Sequence, residues 1–410
     1  MTQARVVHAR VVRTYRELFS IGEFRVLFTT ASLNVAAGSV ASLALGTLAY
    51  AETGSPLLSS FVMFGGPLVR LATSWFLLSL ADLWRPRTAM ALAAAIGVAG
   101  DLAQAIPDLP MAVRIVVLVV PWILLSATGG SMIALVSDIV PEGSFVFARA
   151  TMNIAVGVMQ IVGYGIGGLL LLAFTTSQLF LGAAACSFLA LLLVRFGLGD
   201  HAPRATGKVT QRSRAVNALL LRSRVLRPVY LSLWVPNGLV VGCEALIVPY
   251  AGRHAGFLFA ATALGMLTGD VLMGRVIPPA LRDRLVEPMR FLLAVPWLLF
   301  VLQPGLLAAF ALAAVASIGY CASLPLQERL VTRTAADIRG HVLGLHSLGM
   351  MAMQGVGALL AGGVATLLGS DDHAAGVAIC LMSAASVLVT LALVPGCAAA
   401  GRASLERSSL

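Results

Sequence analysis

The sequence predicts an all-α membrane protein with twelve transmembrane helices in two similar halves, and three observations support this fold class. Apolar residues make up 59% of the 410 residues and charged residues only 11%, whereas soluble domains have roughly 45–50% and about 25%. Apolar segments of about 20 residues, the length that crosses a bilayer, recur along the whole chain. A short glycine-containing motif also occurs twice, about half a chain apart.

The apolar segments fall into two sets of six. The predicted spans are 26–50, 57–80, 88–106, 112–136, 150–173, 178–196, 228–251, 256–274, 289–303, 305–326, 342–368 and 374–395. The longest polar stretch inside the chain separates the two sets. The sequence therefore predicts an N-terminal half over 1–196, a linker over 197–227 and a C-terminal half over 228–410.

The repeated motif is Met-Gln-x-Val-Gly, which begins at Met159 and again at Met353 and continues each time into a glycine pair. Membrane proteins built from two similar halves are usually transporters, because substrate sites form where the repeats meet and the halves rock against each other. Small residues let helices approach closely in lipid, and amide side chains hydrogen-bond between helices. We expect the motif to pack the two halves together through Gln160, Gly163, Gly167, Gln354, Gly357 and Gly362.

The basic residues predict the orientation of the chain in the membrane. The chain has 28 lysines and arginines. All of them except Arg70, Arg114 and Arg253 lie in the N-terminal segment, the C-terminal tail or alternate loops. Because these residues accumulate on the cytoplasmic side, both termini and the linker are expected there. Lys208 is the only lysine, and this preference for arginine indicates a GC-rich bacterial source, so the expected location is a bacterial cell membrane.

Several functional classes lack their motifs in this sequence. Lys208 is not part of a P-loop, which argues against direct use of ATP. The five cysteines form no CxxC pair and the six histidines form no HExxH motif, so no cofactor, no metal site and no enzymatic activity are expected. No basic aromatic face suggests nucleic acid. The expected partners are a small-molecule substrate, protons and membrane lipids, and the chain is expected to be a monomer.

The loop between the second and third spans reads Leu80-Ala81-Asp82-Leu83-Trp84-Arg85-Pro86-Arg87. It resembles the cytoplasmic motif of the major facilitator superfamily, roughly G-x-x-x-D-R-x-G-R-R. The end of the fourth span, from Leu135 to Pro141, and the segment from Arg149 to Asn153 are similar to the bacterial drug-efflux branch of that superfamily. The chain departs from the family pattern at Pro86, where glycine is usual, and at Tyr164, where the antiporter signature has proline.

The resemblance implies a secondary active transporter that exports a small amphipathic compound, a drug or secondary metabolite, by proton antiport, with antibiotic resistance as one outcome. An importer or facilitator on the same fold is the first alternative, and a transport-inactive membrane sensor or scaffold is the second. The resemblance also implies a cytoplasmic gate, in which acidic and basic groups pair in one state and separate when the halves rotate. The expected gate residues are Asp82, Arg85, Arg87, Asp138 and Arg149.

Arg70, Glu244 and Asp270 are the main functional candidates among the ionisable residues inside predicted spans, where charge is costly and usually functional. Arg70 is expected to bind an anionic substrate or to pair with a carboxylate of the other half. Glu244 and Asp270 are its candidate partners and also the candidate proton-coupling residues, because a carboxylate that alternates between wet and occluded surroundings can load and release a proton. Asp270 is alternatively expected to pair with Arg275.

The remaining cavity candidates are polar or aromatic residues in spans one, four, seven and ten, which line the cavity in the family. An apolar pocket with a few such groups suits amphipathic or aromatic molecules. For each residue alone, helix packing is an equally good reading. The expected cavity residues, besides Arg70, are Asn34, Trp122, Trp234, Asn237 and Tyr320.

Overall fold

In the computed structural model, residues 14–81, 85–126, 131–141, 144–201, 220–334 and 339–408 are described. The described residues form helices and contain no strand. A short helix, Tyr15–Ser20, precedes the spans, and the hydroxyl of Thr14 caps it by accepting a hydrogen bond from the backbone of Glu17.

Twelve spans follow in chain order. They are Gly22–Thr53 (span 1), Pro56–Phe64 with Gly66–Ala81 (span 2), Pro86–Gln104 (span 3), Met111–Ser126 with Ser131–Ile139 (span 4), Phe145–Leu170 (span 5), Thr176–Gly197 (span 6), Leu226–Ala245 with Ile247–Ala251 (span 7), Ala255–Val271 with Leu272–Val276 (span 8), Pro279–Ala294 with Val295–Leu302 (span 9), Leu306–Ile318 with Gly319–Ala322 and Ser323–Thr332 (span 10), Arg339–Leu368 (span 11) and Asp372–Ser408 (span 12).

Length and hydropathy support this division. Among the described residues, eight helices are long and apolar enough to cross a membrane, or nine if the bent pair in span 2 is counted as one span. One of the eight, Leu226–Val276, contains both span 7 and span 8, which are separated at Gly252, a glycine with φ of 51°. Met111–Ser126 is a shorter apolar helix, and span 3 is less apolar because it carries Asp101 near its end.

Span 2 contains the sharpest bend, 62° between its two helices. The first helix begins with Pro56 after Ser55, whose hydroxyl accepts a hydrogen bond from the backbone of Leu58 at 3.2 Å. Proline suits the first helical position because its missing N–H would be unpaired there anyway. The bend lies at Gly65 and is followed by Pro67, a combination that typically interrupts helical hydrogen bonding.

The two ends of the bundle can be told apart by the linker. The Glu23 carboxylate at the start of span 1 contacts the His201 ring just after span 6, at 3.1 Å. Arg85, at the start of span 3, forms an ion pair with Asp200. We call this side of the bundle the linker end and the opposite side the far end.

Gly163 and Gly357 of the repeated motif pack helices within each half, which corrects the expectation that these two glycines join the halves. Gly163 of span 5 faces Ala36 and Ser39 of span 1, and Gly357 of span 11 faces the backbone of Gly238 in span 7. These contacts are equivalent when the two motif copies are aligned. Both glycines therefore let a neighbouring backbone of the same half approach closely, as small residues do in membranes.

Two more motif residues also pack within their own half. Gly167 faces Val40 and Leu43 of span 1, and the Gln354 amide donates a hydrogen bond to Asn237 of span 7 at 3.3 Å. Gln160, at the position equivalent to Gln354, is half-buried.

Two other glycines join the two halves, Gly168 and Gly362, of which Gly362 was expected to do so. Gly168 of span 5 meets the backbone of Gly256 in span 8, and Gly362 of span 11 lies against Pro56, Leu57 and Ser60 of span 2. Gly168 and Gly362 are aligned in the two motif copies. The halves therefore meet in two equivalent places, span 5 with span 8 and span 11 with span 2.

Candidate functional site

The far end of the bundle is closed by hydrogen bonds between the halves. The Tyr50 hydroxyl at the end of span 1 donates to the Ser370 carbonyl between spans 11 and 12, at 2.9 Å. The Leu57 backbone N–H at the start of span 2 donates to the Thr366 hydroxyl of span 11, at 3.3 Å. Together with the contact of Gly168 with Gly256, these bonds hold the far ends of the two halves together.

Three aromatic rings, contributed by the two halves, lie on the linker-end side of these far-end contacts. Tyr164 of span 5 stacks on Phe259 of span 8, with ring centroids 5.4 Å apart and an interplanar angle of 21°. Tyr164 also contacts Phe64 of span 2 at 5.9 Å, and the Ser42 hydroxyl of span 1 donates to the Tyr164 hydroxyl at 3.3 Å. We call Phe64, Tyr164 and Phe259 the aromatic junction. It connects the halves through ring contacts, which can separate without breaking a covalent or ionic link.

A buried carboxylate lies beside the aromatic junction. Glu244 of span 7 is 8% exposed, and the Tyr320 hydroxyl of span 10 donates to its Oε1 at 3.1 Å. Glu244 also interacts electrostatically with Tyr164, in the other half. A buried carboxylate with one neutral hydrogen-bond partner is costly in its charged form. Glu244 is therefore placed where its protonation can depend on whether the halves are together.

Exposed polar side chains lie between the aromatic junction and the linker end. Asn34 of span 1 and Arg70 of span 2 are both exposed. Gly66, one turn before Arg70, faces Trp122 of span 4, so Arg70 lies on the side of span 2 that faces span 4. Charged side chains within spans normally face a water-filled cavity. From these exposed polar residues we infer a cleft that opens toward the linker end and is closed by the aromatic junction.

Arg70 has no partner in the described part of the chain. No hydrogen bond or ion pair joins its guanidinium to Glu244, to Asp270 or to any other described residue. This differs from the pairing across the halves that the sequence suggested. An unpaired guanidinium in a cleft is free to bind an anionic group of a solute.

Asp270 is exposed on span 8, toward the linker end from Phe259. It interacts electrostatically with Cys321 of span 10. Among the described residues, no ion pair joins it to Arg275, the alternative partner suggested by the sequence. Asp270 therefore lies at the open side of the cleft, and Glu244 at the closed side.

Three residues expected in the cavity contact a neighbouring helix of their own half. Trp122 lies against Gly66 and 5.9 Å from Phe61, both in span 2. The Trp234 indole of span 7 donates to the His346 carbonyl of span 11 at 3.0 Å. Asn237 is buried and accepts the hydrogen bond from Gln354. The assignment of these three residues, and of Asn34 and Tyr320, to a substrate cavity stays a prediction.

The residues of the expected gate have the following surroundings. Asp82 lies outside the described residues. Arg85 pairs with Asp200, and the Arg87 guanidinium donates to the Arg195 carbonyl, so both attach span 3 to the end of span 6. Asp138 is exposed at the end of span 4, and Arg149 is buried near the start of span 5. The gate formed by these residues stays a prediction.

The three residues of the aromatic junction were not among the site residues predicted from the sequence. Tyr164 was visible in the sequence as a departure from the antiporter signature, and that departure was the signal. Phe64 and Phe259 could not be identified as site residues from the sequence, because a phenylalanine in an apolar span can equally well pack between helices or line a cavity. Among the described residues, no group of three or more His, Cys, Asp or Glu side chains could hold a metal ion.

No protein-family model matches the chain, and no curated protein matches it in sequence. Solved structures are similar in fold. The nucleoside transporter NupG matches with a TM-score of 0.65 and 16% sequence identity, covering 91% of this chain and 98% of the other. A POT family transporter in complex with a thioalcohol-conjugated peptide matches with a TM-score of 0.69 and 13% identity, covering 92% and 96%.

A second POT family transporter, solved in complex with 5-aminolevulinic acid, has a TM-score of 0.67 and 13% identity over 90% of this chain and 95% of the other. At these identities the similarity concerns the fold. The chain has the all-α fold of these solved structures, and its apolar helices are those of a multi-pass membrane protein.

Proposed function

We propose that this chain is a secondary transporter that carries a small amphipathic solute by alternating access, coupled to proton movement through Glu244. The fold supports transport, because the similar solved structures are transporters of nucleosides and peptides. The observation that carries the proposal is the position of Glu244, buried beside the only aromatic stack between the halves that the described residues contain.

Alternating access requires two states that differ in which end is closed. The described state is closed at the far end by Tyr50, Leu57 and the aromatic junction. The opposite state requires these contacts to break and the cleft to close toward the linker end. Hydrogen bonds and ring contacts of this kind contribute about 1 kcal/mol each, so a solute that binds the two states differently by a few kcal/mol can shift the equilibrium.

Proton coupling follows from the surroundings of Glu244. In the closed state the carboxyl group is buried, so binding of a proton stabilises closure at the far end. When the aromatic junction separates, water reaches Glu244 and the charged form becomes less costly. The titratable groups near Glu244 are Tyr164, Tyr320 and Cys243, and none of them supplies a positive charge. Glu244 is thus the group whose charge must change between the two states.

The solute that suits the cleft has an anionic group and an apolar part. Arg70 offers five N–H donors without a described partner, a geometry that matches a carboxylate or a phosphate. Asn34 offers an amide, and the aromatic junction offers apolar surface. An amphipathic organic anion fits this combination, and the class includes drugs and secondary metabolites as well as modified peptides.

Export and uptake use the same pair of states, and the driving gradient decides between them. The efflux direction suggested by the drug-efflux resemblance is therefore one version of the proposal, and uptake is the other. In both versions the N-terminal half comprises 1–196, the linker 197–227 and the C-terminal half 228–410, with the linker end facing the cytoplasm of a bacterial cell. The competing function is a sensor or scaffold that moves no solute.

Purified protein in liposomes tests the proposal. The vesicles contain a trapped pH-sensitive dye, and a panel of nucleosides, dipeptides and amphipathic organic anions is added outside under an imposed pH gradient. We expect at least one anionic compound to produce proton flux that depends on the protein. Solute flux without proton movement would indicate a facilitator, and no flux with any compound would favour the sensor or scaffold.

A further inference from the structure

A groove lies at the linker end between the start of span 7 and span 12. Its volume is about 330 Å³, and three arginines form one side of it, Arg222, Arg224 and Arg227. The other side is apolar and includes Leu231, Ala392 and Leu393. The groove lies between the end of the linker and the C-terminal half, and it is separate from the cleft between the halves.

The three arginines lack a counter-charge in the described part of the chain. All three are exposed, and none forms an ion pair with a described residue. The preceding stretch 202–219 contains no aspartate or glutamate, and the one acid in the linker, Asp200, pairs with Arg85. The groove therefore has three positive side chains and no acidic partner among the described residues.

The helix that begins here adds to this positive potential. Span 7 starts at Leu226, and Arg224 and Arg227 flank that start. The N-terminus of a helix carries a partial positive charge, which repels cations and attracts anions. Arginines at this end of a helix are unfavourable by themselves, and an anion bound among them removes the repulsion.

The depth of the groove matches the surface of a bilayer. Span 12 begins at the far end with Asp372 and reaches Ala392 after 20 residues, about 30 Å at a helical rise of roughly 1.5 Å per residue. This is the thickness of the hydrocarbon core, about 30 Å. The arginines thus lie at the level of lipid headgroups of the leaflet at the linker end.

An apolar track leads from the groove into the membrane. Leu388, one helical turn from Ala392, is 65% exposed, and Leu381, two turns further in, is 50% exposed. Residues at this spacing lie on one face of a helix. The groove therefore continues into a strip of exposed apolar surface that an acyl chain can cover.

We propose that this groove binds an anionic phospholipid, with the phosphate among Arg222, Arg224 and Arg227 and an acyl chain along Leu388 and Leu381. Arginine binds phosphate oxygens through paired N–H donors. A soluble phosphate would use the arginines but not the apolar wall or the track. A lipid uses all of these features at the depth where they occur.

Native mass spectrometry of the purified full-length chain in a neutral detergent tests the proposal. The protein is titrated with phosphatidylglycerol or with phosphatidylcholine of the same acyl chains, and lipid retention is compared. We expect retention of one phosphatidylglycerol in clear preference to phosphatidylcholine. The preference should fall about 25-fold in the Arg224→Gln/Arg227→Gln variant, since a basic residue near a membrane surface contributes about fivefold.

The matched control is Arg275→Gln/Arg284→Gln, which removes two exposed arginines at the same end of the bundle, away from the groove. This variant should keep the preference. An equal loss in both variants, or a loss in neither, would contradict a specific site. Ala392→Trp fills the apolar wall and leaves the arginines in place, so it should reduce lipid retention even if the arginine variant does not fold.

Glycerol 1-phosphate distinguishes a lipid from a free phosphate. As the soluble headgroup alone, it should compete with phosphatidylglycerol only weakly, because it cannot use the apolar track. Competition at concentrations similar to the lipid would overturn the lipid assignment in favour of a soluble phosphate site.

Discussion

Tyr164 of the N-terminal half stacks on Phe259 of the C-terminal half, with ring centroids 5.4 Å apart. The stack lies between the hydrogen-bonded far end and the polar cleft, next to buried Glu244. It connects closure of the far end to the group that we propose carries the proton. Substitutions can test both the contact between Tyr164 and Phe259 and its connection to Glu244.

Phe259→Ala should favour opening of the far end, because an aromatic pair contributes about 0.5–1.5 kcal/mol beyond its buried area. This corresponds to a change of roughly 2- to 10-fold in the populations of the two states. The measurement is the alkylation rate of Ser60→Cys, a fully buried position on span 2, in a background without the native cysteines. Phe257→Ala, on the same helix, is the control and should leave the rate unchanged.

Gly168→Ala should prevent closure of the far end, because the added methyl group would overlap the backbone of Gly256. We expect loss of transport and a destabilisation of about 1–3 kcal/mol, as in other overpacked contacts. Gly157→Ala in the same helix meets open space and should instead stabilise the protein slightly, since alanine favours a helix by up to about 1 kcal/mol over glycine. Thermal unfolding in detergent compares the two, and similar stability in both variants would contradict the close contact.

Arg70→Ala should weaken solute binding without lowering stability, because Arg70 has no described partner that would be left unpaired. Arg114→Ala is the contrasting variant. Its buried guanidinium donates to the carbonyls of Gln104, Leu109 and Ile106 at 2.7–3.1 Å, so its removal should cost several kcal/mol, at roughly 1–3 kcal/mol for each carbonyl left unsatisfied. A large drop in the melting temperature of Arg70→Ala would show that Arg70 is structural.

The topology predicts that cysteines at Thr206 and Asp372 react from opposite sides of the membrane. Thr206 lies in the basic linker, and Asp372 begins span 12 at the far end. A membrane-impermeant maleimide added to intact cells should label Asp372→Cys and spare Thr206→Cys. Labelling of both from the same side would contradict the twelve-span arrangement.

The spans were largely predictable, because a bilayer requires long apolar helices. The prediction of 342–368 for span 11 compares with Arg339–Leu368 in the structure. Span 9 was predicted incorrectly at its start, since it begins ten residues before the predicted 289–303. The first turns of span 9 contain charged residues, and hydropathy alone therefore assigned them to a loop. In the structure they are helical, and the buried guanidinium of Arg290 pairs with Glu287 at 2.8 Å.

The site was predictable only in part. Glu244 could be selected because an acid inside a span is costly, and Tyr320 because span ten lines the cavity in the family that the sequence resembles. The partners of the motif glycines could not be selected, because helical spacing shows which residues share a face but not which neighbour that face meets. Gly163 and Gly357 therefore pack inside the halves, whereas Gly168, the second glycine of its pair, joins them.

The central claim is that a proton on Glu244 stabilises closure of the far end, and spin-label distances as a function of pH test it most directly. One label pair replaces Glu52 and His373, exposed on either side of the far end, and a second pair replaces Arg25 and Arg275 near the linker end. In the otherwise unchanged protein, we expect the far-end distance to increase and the linker-end distance to decrease as the pH rises and Glu244 loses its proton. With Glu244→Gln, whose amide resembles the protonated acid, the far end should stay closed at every pH. Equal pH responses with and without Glu244→Gln would contradict the account, because the switch would then belong to another group.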